Sequence, residues 1–365
     1  MLSIIPAENQ TMTFRESNSQ GSGTRRSFLR NAGAVGALGS LGALSGCLGD
    51  EEEGGADNQY TFGAGPSDSM SFAMANQFAH NLESNSDHTV DLTSQPSSQA
   101  LSLVLGGENE MAWATSFIGQ QAADAEGPFA DVEMNYTPMQ IMSYYYMRIG
   151  LVAPVDSDLE YYSDLANEDF APGPAGASFY PPFEMALQET LSEDDISPRH
   201  MDVSELADGL AEERAVAAGG PLKMNAIIPA FMEQTYSQND CRLLAWDDDA
   251  IDGIQSNPML SGVYESNDEM GDIQEFTSSD ETFVVSADFI VFGSEQVSAD
   301  VVYEMLDTLW NARDELEEGH AAFAPFHDDE FWVENLTTEL PVHPGAADFF
   351  EEHGIWNDDF EVGEV

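Results

Sequence analysis

Three turns rich in small, hydroxyl-bearing and amide residues are the strongest chemical signal in this chain. They span residues 65–71, 95–99 and 173–178, and each lies between a strand-like run and a helical pattern. In open α/β folds, ligands sit at the carboxyl ends of strands, where helix N-termini offer free N–H groups to anions. Any one turn alone favours a tight connection or a cap, but three such turns in one chain indicate a cleft for a polar solute.

Motifs for catalysis or metal binding are scarce. The sequence has no G-x-S-x-G, Walker or H-E-x-x-H pattern, and Gly63-x-Gly65 lacks the third glycine of a dinucleotide fingerprint. His327, His343 and His353 lie near acids that are typical of a solvated surface rather than of a metal site. We therefore expect no enzyme, no cofactor and no metal. An enzyme on the same scaffold would need a perturbed acid and base facing the cleft.

Alternating strands and helices position the first two turns. The predicted order is a strand at 60–62, a helix with Met74, Ala75, Phe78, Ala79 and Leu82 on one face, a strand at 89–93, a helix ended by Gly106 and Gly107, and a strand at 111–114. Ser97 or Ser98 is the expected N-cap of the second helix. This alternation predicts an α/β sheet with right-handed crossovers.

The rest of the chain predicts a second lobe. The apolar, aromatic run 141–153 predicts a central strand, and 282–292 a strand that returns from the second lobe. Between them we predict a helix from the 173–178 turn to about Leu191, and strands at 226–228 and 242–246. A helix at 299–316, with Ser298 as its N-cap, follows the return. The predicted lobes are residues 60–150 with 280–365, and residues 151–279.

The N-terminus predicts export and lipid attachment. Arg25 and Arg26, followed by Phe28 and Leu29, match a twin-arginine signal, and residues 44–47 read Leu-Ser-Gly-Cys, the order of a lipobox. Residues 1–46 are therefore expected to be a processed signal, and Cys47 the lipidated first residue of the mature chain. Residues 47–59 then form a flexible acidic spacer. We expect the protein at the outer face of the cytoplasmic membrane, held by its lipid anchor.

The net charge of the chain further limits the classes of function and of partner that are possible. The chain carries 67 acidic and 10 basic side chains, for a net charge of −57. The acids are spread along the sequence, which is typical of a halophilic surface that needs concentrated salt to screen its repulsion. Nucleic acid is excluded as a partner because no basic footprint exists. Beyond the signal, the basic residues are Arg148, Arg199, Arg214, Lys223, Arg242 and Arg313.

The closing segment of the chain runs from Val342-His343-Pro344-Gly345-Ala346 to Gly354-Ile355-Trp356, and a Gly-Pro-Ala-Gly turn lies at 173–176. With these motifs the sequence resembles the TAXI-type solute receptors of TRAP transporters, which are themselves similar to class II periplasmic binding proteins. The closing segment is similar to the family's H-P-G-A…G-x-W ending, and the turn matches the family's G-P-P-G turn. The resemblance implies two Rossmann-like α/β lobes joined by crossing strands. It also implies a receptor that delivers a small organic solute, such as a carboxylate or amino acid, to an ion-gradient-driven permease. An ABC-transporter receptor is the alternative.

The resemblance also implies a set of ligand contacts. The family's positions fall on Ser67, Asp68, Ser69, Met70, Gln99, Thr115, Ser116, Gly176, Ala177, Ser178 and Phe179. Pro96, Ala177 and Phe117 depart from the family's hydroxyl and acid positions. Phe117, Phe179 and Tyr180 make the expected pocket more apolar than the family's. Arg148 is expected either to face the ligand or to form an ion pair. Cys241 has no partner for a disulfide and is expected to pack as a small hydrophobe.

Overall fold

The computed structural model describes residues 58–67 and 69–365. The predicted signal with Arg25 and Arg26, the lipidation site Cys47 and almost all of the spacer lie outside the described residues, and so does Asp68. In the described ranges, no helix combines the length and apolar character needed to cross a bilayer.

Within these ranges, ten strands form one sheet. They are β1 (Gln59–Gly63), β2 (Thr89–Thr93), β3 (Met111–Thr115), β4 (Met139–Pro154), β5 (Asp169–Ala171), β6 (Ser197–Pro198), β7 (Ala217–Met224), β8 (Cys241–Leu243), β9 (Ser261–Ser266) and β10 (Glu281–Gly293). Their order is β2-β1-β3-β10-β4-β7-β5-β6, with β8 beside β4 and β9 beside β10. The predicted strands at 60–62, 89–93, 111–114, 141–153 and 282–292 are thus confirmed.

Helices connect and cover the strands. In the same part of the chain they are α1 (Met70–Asn85), α2 (Ser97–Gly106), α3 (Ser116–Ala123), α4 (Tyr180–Leu187), α5 (Leu206–Ala211), α6 (Ala230–Gln238), α7 (Asp248–Ser256), α8 (Ala299–Asn311), α9 (Arg313–Gly319), α10 (Phe331–Glu334) and α11 (Pro344–His353). The spacing of the apolar residues explains α1, whose Met74, Ala75, Phe78 and Leu82 are all buried. The fold is therefore α/β, as the alternation of elements predicts.

The long strands β4 and β10 link the two halves of the sheet. β1, β2 and β3 run parallel to one another on one side, and β5 runs parallel to β6 and β7 on the other. β4 and β10 pair antiparallel between them, and a bulge on β4 places Tyr144 between the paired residues Ser143 and Tyr145. Bulges of this kind redirect side chains. The division into lobes at residues 150 and 280 stays a prediction, because the sheet is continuous across it.

The predicted strand at 226–228 is wrong. Met224 and Ile227 exchange backbone hydrogen bonds around a tight turn, in which Asn225 adopts a φ of 48°. The side chain of Asn225 fixes this turn by bonding the backbone of Tyr146 and of Ala322. The true strand is β7, which lies just upstream. Its Ala-Ala-Gly-Gly-Pro sequence lacks the β-branched residues that mark a strand.

Helix ends also differ from the expectations. The predicted helix 299–316 is two helices, because Ala312 leaves the helical conformation and the Arg313 guanidinium donates to the carbonyl of Trp310. Ser298 occupies the N-cap of α8 but its side chain makes no cap hydrogen bond. The N-cap of α2 is Pro96 rather than Ser97 or Ser98. The helix predicted to reach Leu191 ends earlier, at Leu187, and continues as a turn in which Thr190 N bonds the carbonyl of Leu187.

The closing segment 342–356 packs as structural scaffold. His343 is buried at the N-cap of α11, where Nδ1 accepts from Gly345 N at 3.3 Å and Nε2 lies 3.0 Å from the carbonyl of Val297. Burial lowers the pKa of His343, so it is held neutral. A Cβ on Gly345 would come within 2.0 Å of the carbonyl oxygen of Ala299. The His-Pro-Gly sequence therefore lets α11 pack closely against the start of α8.

Candidate functional site

The loop from β1 into α1 holds the first group of predicted ligand residues. Ser69 is the N-cap of α1: its Oγ accepts from Phe72 N at 3.2 Å, donates to the carbonyl of Pro66 at 2.6 Å and lies 2.8 Å from Ser71 Oγ. Ser67 is exposed, and Met70 is half-buried as the first residue of the helix. The loop therefore ends in a capped helix N-terminus with two adjoining hydroxyls.

Aromatic side chains from three strands lie beneath this loop. Gly65 has a φ of +67°, and a Cβ there would lie 2.6 Å from Ser71 Oγ and 2.9 Å from Cε2 of Trp113. Trp113, on β3, lies 4.7 Å from the ring of Phe289 and 6.0 Å from that of Tyr145. Only glycine combines this backbone conformation with room for the indole. The loop is thus packed directly on Trp113.

The β4 bulge brings two tyrosines to Ser71. The Tyr144 hydroxyl donates to the carbonyl of Ser71 at 3.0 Å. Burial raises the pKa of Tyr145, and a hydrogen bond with the Ser71 side chain opposes that rise. Both phenols therefore stay protonated and anchor the first turn of α1. Ser71 and Trp113 lie outside the set predicted from the sequence; the signals were a second serine two residues after Ser69 and a tryptophan among small residues in β3.

The residues after β2 and β3 have mixed surroundings. Thr115 is buried as the N-cap of α3, where its Oγ1 accepts from Ile118 N at 3.2 Å. Ser116 follows and is half-buried, whereas Phe117 is buried in the core. Gln99 is exposed on α2. Because β1 and β3 are neighbouring parallel strands, Thr115 and Ser116 lie at the same edge of the sheet as the first loop.

The turn at 173–178 lies on the other half of the sheet, after β5. Gly176 is exposed, and Ala177 and Ser178 are half-buried. Phe179 is buried, and a Cβ on Gly220 of β7 would lie 3.3 Å from its ring. Whether these residues reach the same solute as the first loop stays a prediction.

Arg148 lies in a buried ion-pair network. Its Nε donates to Glu265 at 2.6 Å, and its Nη1 donates to Ser286 at 2.5 Å and lies 3.4 Å from Asp288. Lys223, opposite Arg148 on β7, donates to the same Glu265 at 3.0 Å. The side chain of Arg148 is only 4% exposed. Of the two roles left open by the sequence, the ion pair is therefore the one observed.

The charges of this network shift one another's pKa values. Burial alone would raise the pKa of Glu265, but its hydrogen bonds and proximity to Arg148 and Lys223 outweigh burial and lower it. Burial would likewise lower the pKa of Lys223, but hydrogen bonds with Glu269 and Glu265 raise it. Burial raises the pKa of Glu334, whose carboxylate lies 3.9 Å from Arg148 Nη2. Glu265 and Lys223 are thus stabilised in their charged forms.

A cavity of about 430 Å³ lies away from the predicted contacts, between α10 and the segment after α11. Its lining residues are Glu330, Val333, Glu334, Leu336, Gly354, Ile355, Trp356, Asn357 and Phe360. Trp356 and Phe360 contact each other edge-to-face. None of the predicted solute contacts belongs to this set. Among the described residues, no group of three or more His, Cys, Asp or Glu side chains is arranged to hold a metal ion.

Two α/β halves joined through long antiparallel strands, with capped helix N-termini at the strand ends, define the architecture of periplasmic-binding-protein-like solute receptors. The chain belongs to the NMT1-like family, whose model matches residues 62–354. This family and fold are those of substrate-binding proteins. No curated protein sequence matches the chain.

Solved structures with a similar fold are distant in sequence. The aliphatic sulphonate binding protein SsuA from Escherichia coli is 13% identical, with 80% of this chain and 78% of that chain covered and a TM-score of 0.40. A TctC solute binding protein from Polaromonas is 8% identical, with 76% and 90% covered and a TM-score of 0.46. SsuA from Xanthomonas axonopodis pv. citri, bound to MOPS, is 14% identical, with 84% and 96% covered and a TM-score of 0.42.

Proposed function

We propose that this protein is an extracytoplasmic solute receptor that captures a small polar organic solute between its two halves and delivers it to a TRAP-type permease. The supporting observation is the edge of the sheet where β1 and β3 end. There the N-terminus of α1 carries two adjoining serine hydroxyls, and α3 begins at the same edge of the sheet. Helix N-termini and hydroxyls bind anionic or polar groups without needing a basic side chain.

The transporter type rests on the resemblance to TAXI receptors in the closing segment. A class II receptor of an ABC transporter remains the alternative, since His343 and Gly345 serve packing in this structure. The two differ in the permease that each would serve. The two are distinguished by expressing the receptor together with a TRAP-type or an ABC-type permease that is encoded near its gene, and then measuring uptake of the identified solute.

Solute binding itself is tested by a thermal-shift screen of small acids, amino acids and metabolites on the mature chain in molar salt. A receptor is stabilised by its ligand in proportion to the logarithm of ligand concentration over Kd. At least one compound should raise the Tm in a saturable manner. A complete screen without any stabilising compound contradicts the receptor function.

Export and anchoring complete the proposal and rest on Arg25, Arg26 and Cys47. A lipid attached at Cys47 would hold the protein at the outer face of the cytoplasmic membrane. Changing Cys47 to Ser should release a folded protein to the medium, and changing both arginines to lysine should block export. A Cys47→Ser protein that still fractionates with membranes contradicts the anchor.

A further inference from the structure

The cavity between α10 and the segment after α11 combines carboxylates with an apolar wall. Its volume of about 430 Å³ lies within the range of roughly 300–1,000 Å³ that is typical of pockets for small organic ligands. Two of its lining side chains, Glu330 and Glu334, are acidic, and none is basic. An occupant would therefore meet negative charge and hydrocarbon together. The apolar part of the lining consists of Val333, Leu336, Ile355, Trp356 and Phe360.

The lining comes from two segments of the chain. Glu330 and Glu334 lie one helical turn apart, because the N–H of Glu334 donates to the carbonyl of Glu330 at 3.0 Å. Trp356 and Phe360 follow the C-cap of α11 at Gly354, and their ring centroids are 5.5 Å apart. Trp356 is only half-buried and lines the cavity, so its ring can contact an occupant. The cavity thus brings two carboxylates of one segment together with an indole of the other.

The two carboxylates of the lining lack close basic partners. None of the ion pairs among the described residues includes Glu330. The one described basic group within 4 Å of the Glu334 carboxylate is Arg148, whose Nη2 lies 3.9 Å away and is too distant for a hydrogen bond. Arg148 itself donates to Glu265 and to Ser286. Neither carboxylate of the cavity is therefore neutralised by a cation of its own.

Further acids surround Glu334. Burial is the largest cause of the raised pKa of Glu334; Arg148 opposes this rise, whereas the carboxylates of Asp288, Asp328 and Glu265 add to it. Negative charge is thus in excess around Glu334 even with Arg148 present. A cation that enters the cavity would reduce this excess and stabilise the ionised form of Glu334.

The apolar wall favours an organic cation over a metal ion. Hard metal ions require six or more oxygen ligands, or several waters, around them. Among the described residues, no group of three or more His, Cys, Asp or Glu side chains could hold one. An organic ammonium ion instead carries hydrocarbon next to its charge, and the ring of tryptophan attracts such a cation more strongly than the other aromatic rings do. Its two parts match the carboxylates and the apolar side chains of the cavity.

We propose that this cavity is a second binding site, which takes a small organic ammonium ion through the carboxylates of Glu330 and Glu334 and the ring of Trp356. None of the residues predicted to contact the transported solute lines the cavity. The inference therefore goes beyond the receptor function and does not depend on it.

The experiment compares cations with neutral molecules of the same shape by isothermal titration of the mature chain in molar KCl. Choline is paired with 3,3-dimethylbutan-1-ol, in which a carbon atom replaces the charged nitrogen, and benzylamine is paired with benzyl alcohol. A further probe, n-butylguanidinium, represents the end of an arginine side chain from a partner protein.

Substitutions in the lining separate the ring from the charges. Trp356→Leu removes the ring and keeps an apolar side chain, whereas Trp356→Phe keeps a ring. Glu334→Gln and Glu330→Gln each remove one negative charge. Glu339→Gln is the matched control, because Glu339 is exposed, lies outside the cavity and contributes the same charge.

We expect choline or benzylamine to bind saturably and more tightly than its neutral counterpart. Trp356→Leu should weaken this binding by about two- to thirty-fold, as for the loss of a cation–π contact, and Trp356→Phe should restore part of it. Glu334→Gln should weaken it by about three- to ten-fold, while Glu339→Gln leaves it unchanged. Circular dichroism confirms that each variant is folded. If Trp356→Leu does not fold, the double variant Glu330→Gln with Glu334→Gln carries the test, and it should lose the preference for the cation.

Equal affinity for a cation and its neutral counterpart overturns the inference. So does an affinity that is unchanged in both Trp356→Leu and Glu334→Gln, or an equal loss in Glu339→Gln. Binding of n-butylguanidinium alone assigns the cavity to an arginine of a partner protein and overturns it as well. If neither choline nor benzylamine binds while the thermal-shift screen finds a solute, this inference fails and the receptor function stands.

Discussion

Two polar regions of the sheet are built in opposite ways: one lies on the crossing strands β4 and β10 and their neighbours, and the other lies at the ends of β1 and β3. Around Arg148, charged groups from four strands are buried and paired, with Glu265 shared between Arg148 and Lys223. At the ends of β1 and β3, the polar groups that the structure describes are neutral hydroxyls, backbone N–H groups and an indole, and the donor of Trp113 has no partner. In the first region the charged groups are paired, whereas in the second region the Trp113 donor is not.

The difference shows how an acid-rich chain divides its polar groups between structure and binding. Among the described residues, each arginine and lysine lies within 4 Å of a carboxylate, so no unpaired cation of that part of the chain marks a binding site. Among the described residues, buried polar atoms without a hydrogen-bond partner occur in both halves of the sheet, and one of them is Trp113 Nε1, beneath the first loop. The described basic residues therefore belong to ion pairs, and the binding edge at the ends of β1 and β3 stays a prediction.

The largest expected effect comes from breaking the charged region. Arg148→Met leaves Glu265 and Asp288 buried without their main partner and should destabilise the protein by about 3–5 kcal/mol. Arg199→Met is the control, because Arg199 pairs with Asp169 and both side chains are more than half exposed, and a pair of that kind contributes about 0–1 kcal/mol. Urea unfolding in molar salt measures both. Equal losses for the two variants would remove the distinction between the regions, as would a loss of solute affinity in folded Arg148→Met.

A second effect concerns pH. Because the folded pKa of Glu265 is lowered, its contribution to stability is present above the unfolded value near 4.5 and is lost as pH falls through the folded pKa. The stability difference between wild type and Glu265→Gln should therefore be large at pH 7 and shrink below about pH 4. Taking the difference cancels the titration of the surface acids. A difference that stays constant from pH 7 to pH 3 contradicts the role of Glu265.

More of the fold than of the site could be predicted from the sequence. Apolar periodicity located α1, β3 and the two crossing strands, because burial requires it regardless of what the site binds. The strand β7 was not predicted from the sequence, because alanine and glycine make up much of it and neither residue type favours a strand. The break at Ala312 was also not predicted; beside it Arg313 donates to the carbonyl of Trp310 and to the distant Asp329, and the spacing of the apolar residues does not reveal these contacts.

For the site, the sequence predicted only interactions between residues that are close together in the chain. Ser69 and Thr115 are caps, as residues of their type at strand-to-helix turns tend to be. Ser71 and Trp113 come together because β1 and β3 are neighbours and because Gly65 lets the loop lie on the indole. A pairing across 42 residues has no signature in a single sequence. The role of Arg148 was equally undetermined until Glu265 could be placed beside it.

A third prediction concerns the salt concentration, which should affect the whole charged surface rather than either of the two regions. The Debye length grows from about 3 Å at 1 M to about 10 Å at 0.1 M, so the repulsion of a net charge of −57 increases as salt is diluted. The Tm should therefore fall on dilution in wild type, and also in Arg148→Met. An unchanged Tm between the two salt concentrations contradicts a halophilic surface. Equimolar sodium and potassium chloride separate screening from specific ion binding.

The smallest expected effects concern single hydroxyls among the predicted contacts. Ser69→Ala should weaken solute binding by only a few fold, because Ser69 Oγ already bonds Pro66 and Phe72; it should also lower stability by about 0.5–2 kcal/mol through the lost cap. Ser69→Thr, which keeps a capping hydroxyl, is its control. Ser116→Ala and Ser178→Ala should weaken affinity to a similar small extent without a cap loss. Affinity that is unchanged in all three alanine variants would place the solute away from these turns, whereas a loss in Ser178→Ala alone would shift the site to the half of the sheet that contains β5.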